Sequence, residues 1–140
     1  VLDRVTTNFS INNNENNSAD HSGNATSYSS NRSSGMSMSF TYNITARQGL
    51  PFLRGINLNS DIRLSMSMST QSTENLRAIG DRSKLETISS TDSWTLSPSM
   101  EYKFSSKFRG GMDMSFSNSV DMTNKTRKIR EVTIWGELVF

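Results

Sequence analysis

The chain has 140 residues, of which Ser, Thr and Asn supply 53, while Leu, Ile, Val and Phe together supply only 29. That is near the aliphatic content of disordered chains and too little for the core of an ordinary water-soluble α/β enzyme of this length. A net charge of +2 from 15 basic and 13 acidic residues, interspersed along the chain, is too balanced for a nucleic-acid-binding patch. The absence of cysteine excludes disulfides and thiolate metal sites.

The spacing of the few apolar residues carries the information. Val5, Phe9 and Ile11 alternate weakly with Thr6, Asn8 and Ser10, which predicts a first strand over 1–11. Segment 12–34, rich in Asn and Ser, reads as a long polar loop. Then Met36, Met38, Phe40, Tyr42, Ile44 and Ala46 take every even position, and Ser37, Ser39, Thr41, Asn43 and Thr45 every odd one. In a strand, successive side chains point to opposite faces, so this segment has one apolar and one polar face. A helix would scatter both sets around its circumference. The second strand is therefore expected over 35–46.

After a short connection at 47–55, a third strand is predicted over 56–71, with Ile62, Leu64, Met66 and Met68 against Arg63, Ser65, Ser67 and Ser69. Segment 72–91 reads as a second long polar loop. The fourth strand, 92–104, sets Trp94, Leu96, Met100, Tyr102 and Phe104 against Thr95, Ser97, Ser99, Glu101 and Lys103. Pro98 removes a ladder donor there, so a bulge or an unpaired N–H position is expected. A tight connection at 105–107 leads to a fifth strand over 108–118, where Met112, Met114 and Phe116 alternate with Asp113, Ser115 and Ser117. An intermediate connection at 119–128 leads to the sixth, 129–140, with Val132, Ile134, Leu138 and Phe140 against Glu131, Thr133 and Glu137. Trp135 and Val139 are bulky exceptions on the polar side.

The expected fold is all-β: one antiparallel up-and-down meander of about six long strands spanning 1–140, with alternately long and short connections. Such a one-faced sheet packs inward in a soluble sandwich or turns its apolar face to lipid in an outer-membrane barrel. Three features favour the barrel. The expected strands match the ~9–11 residues that cross a bilayer better than the ~5–6 of an average strand. The polar face is built of small hydroxyl and amide groups that suit a wet lumen. Long and short connections segregate to opposite ends, as in bacterial barrels. On this reading Met36, Met38, Phe40, Tyr42, Ile44, Ile62, Leu64, Met66, Met68, Leu96, Met100, Tyr102, Met112, Met114, Phe116, Ile134 and Leu138 face lipid. Ser37, Ser39, Thr41, Asn43, Arg63, Ser65, Ser67, Glu101, Lys103, Asp113, Ser115, Glu131 and Glu137 face the lumen. Phe40, Tyr42, Trp94, Tyr102, Phe104, Phe108 and Phe140 lie towards strand ends, where interfacial aromatic girdles sit. Six strands are fewer than the eight of the smallest single-chain barrels, and Val1 is not an initiator Met. The chain is therefore expected to be a piece of a larger barrel.

The stretch Leu50-Pro51-Phe52-Leu53-Arg54-Gly55-Ile56-Asn57-Leu58-Asn59-Ser60-Asp61-Ile62-Arg63-Leu64 resembles a recurrent turn-and-strand unit of the SprA (Sov) family. The segments Leu96-Ser97-Pro98-Ser99-Met100-Glu101-Tyr102-Lys103-Phe104-Ser105, Gly110-Gly111 and Arg130-Glu131-Val132-Thr133-Ile134-Trp135 are similar to its C-terminal part. The resemblance spans roughly 36–140. It implies a giant outer-membrane barrel of Bacteroidetes and their relatives, the translocon of the type IX secretion system. Such a translocon passes folded cargo, works with smaller barrel and plug partners, and supports gliding motility in some species. The chain would then supply the final strands, the last closing against the first strand of the missing portion. Leu138 and Phe140 resemble the terminal signal read by the barrel-assembly machinery. The implied partners are outer-membrane lipid, the rest of the barrel, secreted cargo and that machinery.

Other signals point to no chemistry. The sites at Asn8, Asn16, Asn24, Asn31, Asn43 and Asn124 that match the N-glycosylation pattern follow from the Asn and Ser/Thr content. Glu15, Asp20 and His21, the only histidine, read as a solvated loop rather than a cation site. Asp81-Arg82 and Arg127-Lys128-Ile129-Arg130 read as a solvated rim, with contact to anionic lipopolysaccharide as the sharper alternative. The paired methionines share the apolar face and serve packing rather than a cofactor. No nucleophile–base–orienter set can be assembled around any serine, so neither catalysis nor a cofactor or metal is expected. Two alternatives stay open: a secreted or cell-surface sandwich such as an adhesin module, and the last strands of another outer-membrane barrel, a porin or receptor.

Overall fold

The computed structural model describes residues 4–22, 25–45 and 61–139. It is a single six-stranded antiparallel sheet in the order of the chain: β1 (Arg4–Ser22), β2 (Ala25–Thr45), β3 (Asp61–Ile79), β4 (Glu86–Lys103), β5 (Phe108–Asp121) and β6 (Thr126–Leu138). The expected all-β meander is therefore the fold. The connection expected at 47–55, the start of the third strand, most of the Leu50–Leu64 stretch and Phe140 lie outside the described residues.

Where they are described, the two long polar loops expected at 12–34 and 72–91 are strand, apart from the turn over residues 80–85. β1 and β2 stay paired from Arg4↔Asn43 to Ser22↔Ala25, and β3 and β4 from Ile62↔Tyr102 to Arg77↔Glu86. Backbone ladders need no apolar side chains, and here small polar groups bond across them instead. Asn31 donates to Asn75 at 2.6 Å, and Asn75 to Ser89 at 2.8 Å, a three-strand amide and hydroxyl ladder. Ser18 and Ser29 meet at 2.7 Å, as do Ser10 and Ser37. Apolar alternation stops where the apolar face stops, while the sheet continues. β2 runs for 21 residues, roughly 70 Å at ~3.3 Å per residue.

The other connections are tight. A 3₁₀ turn at Arg82–Lys84 closes β3 to β4, with Asp81 accepting from the Ser83 amide at 2.9 Å. Gly80 precedes it at φ 83°, in the left-handed region that glycine enters freely. Between β4 and β5 the Ser105 hydroxyl oxygen accepts from the amides of Lys107 and Phe108. Between β5 and β6 the Asp121 carboxylate accepts from the Thr123 hydroxyl at 2.7 Å and from the Thr123 and Lys125 amides at 2.9 Å. Asn124 takes the left-handed φ of 59° that this turn requires.

Pro98 produces no bulge. It opposes Met66 in the β3–β4 ladder without a register shift, and the β4–β5 ladder steps from Leu96↔Phe116 to Ser99↔Asp113, with no pair at Ser97 or Pro98. The donor that proline lacks is thus missing on the β5 side. The register shift in β4 lies higher, between Asn75↔Ser89 and Leu76↔Thr87, where Ile88 is the extra residue.

The sheet forms one layer. Ile62, Leu76 and Ala78 are the buried hydrophobic residues among those described, and large apolar side chains from Val5 to Val139 stand exposed.

The Asp121 turn has a pH signature. The Thr123 hydroxyl, then the Lys125 and Thr123 amides, hold this exposed carboxyl below the usual aspartate value. A lowered folded-state value gives stabilisation that is complete above the ordinary aspartate range, ~3.9, and lost as pH falls through the lowered value. The Thr123 and Lys125 amide resonances should therefore shift together, with a midpoint below ~3.9 in an NMR titration. Asp121→Asn should abolish that titration.

Candidate functional site

The register of the five ladders decides which side chains share a face. Antiparallel partners point the same way, so rows can be followed across the sheet. One row is Val5, Tyr42, Leu64, Met100, Met112 and Ile134. The next towards the β1–β2 hairpin begins Thr7, Phe40, Met66 and Pro98, and meets Met114↔Val132 at the far side. Then come Phe9, Met38, Met68, Leu96, Phe116 and Arg130, and after them Ile11, Met36, Thr70, Trp94, Asn118 and Lys128. On the opposite side of the first row lie Ile44, Ile62, Tyr102, Gly110 and Gly136. Leu138 opposes Phe108 one row beyond.

All seventeen residues expected on the apolar face thus fall on one side of one sheet. Met36, Met38, Met66, Met68 and Met100 are about 40% exposed and Ile134 is 80%. Ile62 is the exception, at 4%: Ile44, Leu64 and Tyr102 pack over it, so its own side chain is not presented outward.

An aromatic cluster closes the end of this face near the β4–β5 turn. Tyr102 meets Phe104 edge-on at 4.6 Å, and Phe104 stacks on Phe108 at 4.9 Å. Trp94 marks the other end. Ten residues separate Trp94 from Phe104, roughly 34 Å along the strand. At a barrel tilt of ~40° the rise is about 26 Å, close to the ~25 Å apolar band of outer-membrane barrels.

The opposite face carries all thirteen residues expected on the polar side. Asn43, Arg63 and Glu101 form one row, and Lys103, Arg109 and Glu137 the next. Charges link these rows: Arg63 Nη1 lies 3.8 Å from Glu101 Oε2, Arg109 Nη1 3.5 Å from Glu101 Oε1, and Arg109 Nη2 2.7 Å from Glu137 Oε2. These side chains are a third to two thirds exposed, so the network orders the rim more than it stabilises the fold. Arg109, absent from the expected set, is its centre. Its odd position, in phase with Asp113, was the available signal.

Trp135 resolves the exception on this face. It sits opposite Gly111, and its Nε1 donates to Asp113 Oδ2 at 2.8 Å. A Cβ on Gly111 would lie 2.8 Å from the indole and 2.5 Å from the Met100 carbonyl oxygen. The glycine is the slot the indole fills, an aromatic covering a strand glycine, and the Gly-Gly pair beside an out-of-phase Trp was the sequence signal for it.

Beyond the Trp94 row the methionine stripe gives way to polar residues, with a small apolar patch of Tyr28, Leu76 and Ala78 towards the far hairpin ends. Arg32 Nε lies 3.6 Å from Glu15 Oε1, and Glu74 opposes Arg32 on the side where the methionines stand lower down. Asn17, then Arg32, keeps the Glu15 carboxyl below its usual value. His21 and Asp20, the other residues weighed for a cation, lie exposed in β1. No cluster of three His, Cys, Asp or Glu side chains among the described residues is placed to hold a metal ion. No protein-family model and no curated protein matches the chain.

The Gly111 slot makes a discriminating pair. Gly111→Ala should cost about 1–3 kcal/mol as an overpacking change. Gly136→Ala should cost under about 1 kcal/mol, because the nearest group to its added Cβ is the Phe108 ring at 3.4 Å. Urea unfolding of both variants, with Trp135 fluorescence as the probe, checks the order.

Proposed function

We propose that this sheet is a section of the wall of an outer-membrane β-barrel. Its methionine-bearing face meets acyl chains, its hydroxyl-bearing face lines an aqueous passage, and the strand extensions above the Trp94 row project into water outside the membrane. The observation that carries the reading is the segregation of apolar and polar side chains through five ladders, interrupted in β6 by Arg130 and Lys128 on the apolar side and Trp135 on the polar side, over a height that matches the bilayer, in a sheet with no second layer among the described residues. A soluble sandwich needs a second sheet on the apolar face. A membrane wall needs only lipid there, because its backbone groups are satisfied within the ladders.

Polarity along the strands supports an orientation. The turn at 104–107 and the end of β6 lie at one end, and the long paired extensions of β1–β2 and β3–β4 at the other. Bacterial barrels keep short turns on the periplasmic side and longer excursions outside. The outer edges of β1 and β6 bear no partner among the described residues. In lipid, each unpaired backbone group costs several kcal/mol, so the wall continues on both sides.

Which barrel this is rests on the SprA-like segments, three of which fall within the described sheet, Gly110-Gly111 lying in β5. Leu96–Ser105 forms the membrane-level part of β4 and the start of its turn, and Arg130–Trp135 the corresponding part of β6. On that basis the passage conducts secreted protein in a type IX secretion translocon. Its lining of mostly small, uncharged Ser, Thr and Asn would let a folded surface slide past without holding it; the Arg63, Glu101, Lys103, Arg109 and Glu137 charges sit near the periplasmic rim, and Glu131 stands at mid-height. The role is structural, without a catalytic group.

Substitution on adjacent residues of β3 tests the faces. Met66→Arg should impair insertion, at about 2–4 kcal/mol for a cation at mid-depth on the lipid side. Ser67→Arg, one residue along, should insert normally. Equal heat-modifiable migration and membrane yield for the two variants would refute the assignment. A secretion assay of the full-length protein with Ser67→Arg and Ser97→Arg combined, which narrows the passage, should show loss of cargo release with the barrel intact.

A further inference from the structure

The β5–β6 corner carries charges that the lipid-facing reading does not use, and the inference here rests on that reading. Residues 125–130 contain Lys125, Arg127, Lys128 and Arg130. Two of these four lie on the apolar side of the sheet by register: Arg130 opposes Phe116 in the row of Leu96, Met68 and Met38, and Lys128 opposes Asn118 in the row of Trp94 and Met36. Both are exposed, and neither makes an ion pair with a described residue. The nearest acid on this face by register is Asp92, two strands away and one row higher, roughly 10 Å across the sheet alone. Asp121 and Glu131 fall on the opposite face.

A cation among methionine and phenylalanine rows is costly unless its head reaches a polar layer, and Lys and Arg do so by laying their stems along apolar surface. From these rows the heads arrive at the level of Trp94, the aromatic boundary at the outer end of the apolar band. Two such heads, on Cα atoms roughly 7 Å apart, converge on an anion at headgroup depth. The occupant is set by that depth and charge: stems on the acyl side, cationic heads at the outer boundary, and no neighbouring acid on this face among the described residues to neutralise them.

We propose that Lys128 and Arg130, flanked by Asn118 and Trp94, form a binding site for the phosphate-bearing headgroup of an anionic lipid in the outer leaflet. The lipid is held against the outer surface of the wall where β5 and β6 are shorter than their neighbours. The site anchors the shortest part of the wall, which has no tall polar extension to steady it.

The test titrates bis-phosphorylated lipid A into the full-length protein in neutral detergent micelles and reads bound lipid by native mass spectrometry. The paired variant Lys128→Gln/Arg130→Gln should weaken binding about thirtyfold, at roughly fivefold per basic residue. Lys103→Gln, on the other face, should leave it unchanged. Inorganic phosphate at millimolar concentration should not displace the lipid. Wild-type affinity in the paired variant, or displacement by free phosphate, overturns the site. A spin label at Met66 separates this outcome from failure of the lipid-facing reading itself. If the label contacts acyl chains while the paired variant binds normally, only the site falls. If the label reports water, both fall.

Discussion

Cross-strand register is the constraint on which the rest depends. A strand alternates its faces with a period of two, so a one-residue slip in any ladder would send half the apolar residues to the other side. Between β1 and β6 five ladders each had to keep phase, and each does through the methionine rows. The shift at Ile88 falls above those rows, where the methionine stripe has ended and a change of phase does not disturb it. Pro98, within them, interrupts a ladder but preserves the count. Irregularity is tolerated in this sheet only where it leaves the parity of the methionine rows intact.

That distinction explains what could be read in the sequence. Alternation reports an environment that differs between the two faces, not the presence of a strand. Where the sheet has one apolar side, at Met36–Ile44 or Met112–Phe116, strand and face were both legible. Where both sides are polar, as in Asn12–Asn17 or Ser29–Ser34, the same ladder carries no periodic signal and looks like a loop. The loops expected at 12–34 and 72–91 failed for that reason. Their abundant Ser, Thr and Asn residues serve as cross-strand hydrogen-bonding pairs such as Asn31–Asn75–Ser89. Composition that favours turns in isolation is compatible with strands once a neighbour holds the backbone.

The faces themselves were legible almost residue by residue, because register only had to align patterns each strand already displayed. Contacts between residues distant in sequence were not. Nothing in β6 alone marks Trp135 as the partner of Gly111 and Asp113. An out-of-phase indole gains meaning only when the pairing puts a glycine slot opposite it. The same holds for Arg109, which joins Glu101 to Glu137 across β4, β5 and β6. Ile62 shows the converse, a residue correctly phased yet covered by Ile44, Leu64 and Tyr102.

A single layer with two chemically distinct faces also limits how the sheet can end. Strands twist, and a broad twisted sheet curls towards closure. Between an apolar and an aqueous medium, closure is the arrangement that leaves no edge exposed to hydrocarbon. The edge strands differ in how they meet that demand. On the proposed reading β6 spans little more than the apolar band, with Lys128 and Arg130 at its outer boundary. β1 continues far beyond it with side chains exposed throughout, Asn12, Asn13, Asn14, Asn16 and Asn17 among them. In a closed wall of the proposed kind, a neighbour for β1 would be as tall as β1 and supply polar partners for its extension, whereas a neighbour for β6 could be short. The wall is high on one flank and low on the other, so an aqueous passage bounded by it would open outward more deeply on the β6 side.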